Sequence, residues 1–281
     1  MKIYFKLTIL FLTIVFTSCE DVIDVDVQTG PSRLVIEASL DWEKGTTGNN
    51  QTIKLSKSTP YYDTTTNTGV TNASVRVTND NDNTEFVFTH QGNGEYTTTN
   101  FIPVIGQSYT LEVVHEGETY IANETLMPVV DIDGITQSIE SGFDEEDLEV
   151  NVIFTDPEEQ ENYYLFKFHK QGDLLPVLEE GDDEFVNGNE ITWWFEKEED
   201  DETDKIEAFL PGDTVNIDFF GISESYSNYI GILIEQSWGA GLFSTTPVPL
   251  RGNCINTTNA DNYAFGYFRL TQVVRTSYTF Q

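Results

Sequence analysis

The chain has 281 residues, with 48 acidic against 14 basic side chains, a formal charge of −34 and 38% hydrophobic residues that include 19 Phe and 13 Tyr. That length suits one large or two ordinary domains, and so much apolar and aromatic content excludes global disorder. The charge excludes nucleic acid as a partner, because that binding rests on Lys and Arg neutralising phosphates, and it opposes adsorption to anionic lipid.

The chain opens with Lys2 and Lys6 around a run that continues as LTILFLTIVF and ends in Thr17-Ser18-Cys19. A basic start, a short apolar core and small residues before a break are the layout of a secretory signal over residues 1–18. Residues 7–16 are too short to span a bilayer, which takes about 20 apolar residues. FTSC resembles a bacterial lipobox, whose cysteine is lipidated on sulfur and becomes the first mature residue. The thiolate is the nucleophile that thioether formation needs. Glu20 and Asp21 resemble the acidic export signal of Bacteroidota surface lipoproteins. Residues 19–32 then form an acidic tether, and lipid on Cys19 supplies the membrane attachment that the surface charge opposes.

Period-2 segments follow. Ile53 and Leu55, Val75 and Val77, Phe86 and Phe88, and Tyr109, Leu111 and Val113 alternate with polar residues, as half-buried strands do. Gly92-Asn93-Gly94, Gly106-Gln107 and Glu116-Gly117 provide turn chemistry between them. About seven strands by residue 123 predict an immunoglobulin-like β-sandwich over residues 33–128. Pro128 and VVDIDGI mark a boundary. Residues 129–281 are expected to form a second β-rich domain, with strands in LEVNVIF, YYLFKFH, ITWWF and TVNIDFF and a tight turn at Asn187-Gly188. Tyr226, Tyr229, Ile230 and Leu233 recur at helical spacing, with Ser223 or Ser225 as cap, and predict one helix near 224–236.

The ordered set CEDVIDVDV, RLVIEASL, QTIKLSKSTPYYD, VTNASVRVTND, GQSYTLEVVHEGETYIANETLMP, EFVNGNEITWWF and PGDTVNIDFFGISESYSNYI resembles the Bacteroidota lipoprotein family called domain of unknown function 4249. The resemblance covers nearly the whole mature chain. It implies an outer-membrane lipoprotein with an N-terminal sandwich and a second β-rich domain, working beside a TonB-dependent transporter. It implies no catalytic residues.

The residues themselves offer no catalytic constellation. GISES fails the nucleophile-elbow pattern at its last position, and neither H-E-x-x-H nor a Walker loop occurs. A non-enzyme is expected. Cys254 stands alone once Cys19 is lipidated, and its expected role is that of a small buried hydrophobe. EEDDETD, with Asp200, Asp201 and Asp204, carries calcium-type donors, but it lacks EF-hand spacing and reads first as a solvated loop, so no cofactor is expected beyond the lipid. Possible contacts to a ligand or partner are Tyr61 and Tyr62 in a long loop, Trp42 and Trp238 near loops, and the pair Trp193-Trp194. If ITWWF is a strand, the two indoles point to opposite faces, one into the core and one outward. The expected function is a surface-exposed, non-enzymatic binding or accessory subunit of a TonB-dependent barrel. The alternative is a structural or assembly subunit of an outer-membrane complex, or an adhesin-like module.

Overall fold

Alternation of apolar and polar residues decides which side chains each strand buries, and the strands bury them as that pattern requires. The structure is a computed structural model that describes residues 30–60, 63, 66–142, 147–158, 160–197, 208–237 and 249–281. The expected signal peptide, most of the tether, and Cys19, Glu20, Asp21, Tyr61, Tyr62, Asp200, Asp201, Asp204 and Trp238 lie outside the described residues. From Ser32 to Gln281 the chain is one compact unit.

The first seven strands are β1 (Leu34–Glu43), β2 (Gln51–Lys57), β3 (Ser74–Asn79), β4 (Glu85–Gly92), β5 (Glu95–Thr98), β6 (Ser108–His115) and β7 (Glu118–Thr125). Along β4, Phe86 and Phe88 pair with β3, whereas Thr89 and His90 pair with β5, and the register shifts between His90 and Gly92. One strand thus serves both layers. The sheet curls there, and Ile36, Leu55 and Tyr96 meet Val75, Leu111 and Val113 in one core. This is the expected immunoglobulin-like sandwich, and the protein is mostly β.

The remaining elements are β8 (Gly134–Ser138), β9 (Glu149–Thr155), β10 (Tyr163–Lys170), β11 (Val177–Asp182), β12 (Glu190–Phe195), β13 (Thr214–Ile222), helix α1 (Glu224–Ser237), β14 (Ile255–Asn256) and β15 (Phe265–Thr279). The helix falls where the aromatic spacing predicts it. Of the two candidate caps it is Ser223 whose Oγ accepts the Tyr226 N–H, at 3.2 Å. Strands β12-β9-β8 form a small sheet, and the large sheet runs β11-β10-β13-β15-β1-β2-β5-β4-β3-β6-β7-β14.

Strands β10 and β13 are covered on both faces. Phe166, Phe168 and Phe219 meet Val152, Phe154 and Phe195 of the small sheet. Ring pairs tighten that contact, with Phe166–Phe219 centroids 4.4 Å apart and Phe168–Phe195 centroids 4.2 Å apart. On the opposite face Leu165, Phe220 and Ile222 meet Tyr226 and Ile230 of α1. Burial on both faces explains the near-continuous apolar runs of these strands.

Residues on the far side of the expected boundary at 128/129 also join the first core. Strand β14 pairs with β7, β15 runs parallel to β1 from Val35↔Phe265 to Glu43↔Val273, and Cys254, Ala264, Phe268 and Leu270 pack in the first cluster. Among the described residues no helix is long and apolar enough to cross a membrane.

Candidate functional site

Among the described residues, strands β11 and β12 end their respective sheets. Their sequences, VLEEGD and EITWWF, carry both apolar and acidic side chains. Such edges present backbone groups that no neighbouring strand takes up. A cleft of about 1020 Å³ opens along these two edges and is closed on a third side by the C-terminal half of α1, from Gly231 to Ser237.

Trp193 and Trp194 both line this cleft. The alternation expected from ITWWF holds for Trp193, which packs on the second core and lies 4.8 Å from the Phe166 ring. Trp194 is half-buried rather than fully outward. Trp193 is held by two further features. Its indole N–H donates to Glu179 Oε2 at 2.6 Å. Its ring edge lies over Gly181, where a Cβ would come within 2.7 Å of Cη2, so only glycine lets the indole approach β11 so closely.

The polar lining is one-sided. Among the described residues, Glu179, Glu180, Glu196 and Glu235 face the cleft with one cation, Lys197, whose Nζ is 2.8 Å from Asp173 Oδ2. Glu180 accepts a hydrogen bond from the Ser227 hydroxyl of α1. At the cleft mouth the turn between β10 and β11 exposes Leu174 at 92% and Leu175 at 72%. Apolar walls, two indoles and a carboxylate rim suit a ligand or partner segment with an apolar body and a positive charge.

The other expected contacts are elsewhere. Trp42 does not line this cleft. It packs against the first core, and its Nε1–H donates to the Thr46 carbonyl at 2.9 Å. A smaller cavity of about 280 Å³ lies beside residues 66–72 of the long loop and His115, with Tyr61 and Tyr62 outside the described residues. Burial lowers the His115 pKa. Cys254 is buried, as expected of a small hydrophobe, and burial pushes its thiol up to about 12. Sequence reasoning singled out the two tryptophans but missed Glu179, Gly181 and the end of α1. Their only signal was an ordinary acidic strand and the tail of an amphipathic helix.

The model of one family, "Domain of unknown function (DUF4249)", matches residues 20–277. No match is found among curated proteins. Among solved structures, a DUF4785 family protein from Legionella pneumophila is 11% identical with a TM-score of 0.27, over 69% of this chain and 54% of that one. The chain therefore spans about half the length of that protein. A segment of two fibronectin type-III domains from chicken tenascin is 13% identical, with a TM-score of 0.21, over 60% of this chain and 83% of that one. A cytokine receptor complex is 8% identical, with a TM-score of 0.26, over 69% of this chain and 85% of that one.

Proposed function

We propose, from the premise that the chain belongs to the DUF4249 family, that it is a lipid-anchored outer-membrane surface lipoprotein. It acts as a non-enzymatic binding or accessory subunit of a TonB-dependent barrel. Lipid on Cys19 holds the chain at the membrane, and the acidic stretch from Glu20 carries it to the surface and spaces the folded part from the bilayer. The cleft between β11, β12 and α1 receives an apolar segment that bears a positive charge. The barrel or its substrate supplies that segment.

The observation that carries this reading is the cleft, in which two indoles and four glutamates share one wall system beside the exposed Leu174 and Leu175. Exposed apolar residues next to a ready groove are the mark of a contact surface. The test is an affinity pull-down of the tagged chain from gently solubilised outer membranes, followed by mass spectrometry. A TonB-dependent transporter at near-equal amount is the expected result, lost when Leu174 and Leu175 are both changed to Asp. An outer-membrane assembly factor in its place, or no barrel at all, overturns the reading. Labelling with radioactive palmitate that survives Cys19→Ser overturns the anchor.

A further inference from the structure

Asp156, Asn162 and Asp183 are 3%, 6% and 0% exposed. They come from three connections. Asp156 directly follows β9, Asn162 directly precedes β10, and Asp183 directly follows β11. Strands β10 and β11 pair with Tyr163 opposite Asp182, so Asn162 and Asp183 are the next rung. The Asp183 N–H donates to the Asn162 carbonyl at 3.2 Å, and the Asn162 N–H donates to Asp183 Oδ2 at 3.0 Å. The loop between β11 and β12 brings in Asp156. The Asp156 N–H donates to the Asn189 carbonyl at 3.0 Å, and the Gly188 N–H donates to Asp156 Oδ2 at 3.0 Å. The Tyr164 hydroxyl donates to Asp156 Oδ1 at 2.5 Å. The Asp156 carboxyl is a neighbour of the Asp183 carboxyl.

Three things are then unexplained by the protein alone. Among the described residues, Asp183 Oδ1 is buried without a hydrogen-bond partner. So is Asn162 Oδ1, on a neutral residue outside the acidic pair. Among the described residues, Asp156 and Asp183 take part in none of the ion pairs that occupy other carboxylates, such as Lys170–Asp213 or Arg269–Asp41. Buried polar atoms are almost always satisfied, and an orphan points to a missing water or ion. Two neighbouring buried carboxylates without a counter-charge are strongly unfavourable.

The donors are all oxygen, from two carboxylates and one amide. No third acidic, His or Cys side chain joins them among the described residues. That set suits a hard cation, and the mix of carboxylate and amide oxygens at irregular loop positions suits calcium, which tolerates flexible geometry and completes its shell with backbone carbonyls and water. We infer that Asp156, Asn162 and Asp183 form a calcium-binding site that fastens the β9–β10 connection to the β11–β12 loop. Strands β11 and β12 lead into and out of that loop, so the ion holds the two edges that wall the cleft. The site stands whether or not the transporter reading does. A proton shared by Asp156 and Asp183 is the competing occupant, and it leaves Asn162 Oδ1 unexplained.

The test uses the full chain purified in detergent, stripped with EDTA and titrated with calcium chloride by calorimetry and thermal melting. The expected result is one saturable equivalent and a melting temperature that rises with calcium. Terbium used as a probe should luminesce on excitation of the protein's aromatic residues. Asp183→Asn should weaken calcium affinity at least about ten-fold. Asn162→Ala, which keeps both carboxylates, is the second variant, and it should weaken binding while retaining the far-ultraviolet circular dichroism of the wild type. A triple change of Asp200, Asp201 and Asp204 to Asn should leave the equivalent in place. A melting temperature unmoved by millimolar calcium but raised by acidification assigns the site to a proton and overturns the inference. Undiminished affinity in both Asp183→Asn and Asn162→Ala places calcium elsewhere and overturns it equally.

Discussion

The indole N–H of Trp193 on β12 and the carboxylate of Glu179 on β11 meet at 2.6 Å, and the bond ties the edge of the small sheet to the edge of the large one. The same indole closes against Phe166 and Gly181. It is both part of the core and a wall of the cleft.

Trp193→Ala should therefore lower stability by about 2–4 kcal/mol, since it leaves a large hole at a half-buried position. Trp193→Phe keeps most of the packing and loses the hydrogen bond, at about 1 kcal/mol. Urea unfolding at neutral pH measures both. Equal losses in the two variants would mean that the bond to Glu179, rather than the ring's packing, holds the edges together.

Gly221 sits in β13 against the crossing segment at Pro128. A Cβ there would come within 1.7 Å of the Pro128 carbonyl oxygen, and that backbone has no rotamer with which to yield. Gly221→Ala should cost at least about 2 kcal/mol, as overpacking against a fixed group does. Gly134→Ala, whose Cβ would meet nothing nearer than 3.8 Å, should stay within about 0.5 kcal/mol of the parent. Thermal melting of the pair gives the comparison.

Glu124 of β7 is buried against Ser223 at the start of α1. It accepts hydrogen bonds from the Thr125 N–H at 2.9 Å, the Ser223 hydroxyl at 3.1 Å and the Tyr267 hydroxyl at 3.3 Å. Burial outweighs these donors and raises its pKa above the ordinary 4.5. The folded chain then holds the proton more tightly than the unfolded one. This group's contribution to stability is largest at acid pH and falls as pH rises through 4.5 to the raised folded value. Glu124→Gln removes that dependence. The stability of the variant relative to wild type should climb as pH rises through 4.5 and level off above the raised folded value. A difference that falls over the same range would show that the hydrogen bonds outweigh burial.

Cys254 is the free cysteine among the described residues and is buried in the first core. With its thiol pushed up to about 12 by burial, almost no thiolate exists at pH 8 and none of it is accessible. In a chain carrying Cys19→Ser, an aromatic disulfide reagent should react only at the rate at which the first core opens. Urea should raise that rate in step with loss of circular dichroism. Rapid labelling of the native state would contradict the burial.

Much of the fold was legible in the sequence because its signals are local. Ile53 and Leu55, Val75 and Val77, and Phe86 and Phe88 alternate within their own strands, and burial follows that alternation directly. Tyr226 and Ile230 repeat at helical spacing within their own segment, and both are buried in α1. Trp193 stood out as half of an adjacent pair. Nothing near it in the chain pointed to Glu179, fourteen residues away, as its partner.

Period-2 alternation assigns a face but carries no record of a neighbour. The parallel pairing of β1 with β15, which joins Val35 to Phe265, was therefore invisible in the sequence, as was the entry of Cys254 and Phe268 into a core built mainly by side chains from Leu34 to Leu126. For the same reason Asp156, Asn162 and Asp183 looked like three ordinary polar residues at strand ends. The sequence by itself determined the acidic surface, the strand-forming segments, the faces they bury and the place of the helix, because each depends on residues a few positions apart. Which edges lie side by side, and so which indole meets which carboxylate and which strand ends come together, was decided by the tertiary structure. Those contacts depend on how distant strands compete to cover one another's apolar faces, a competition that only the packed chain resolves.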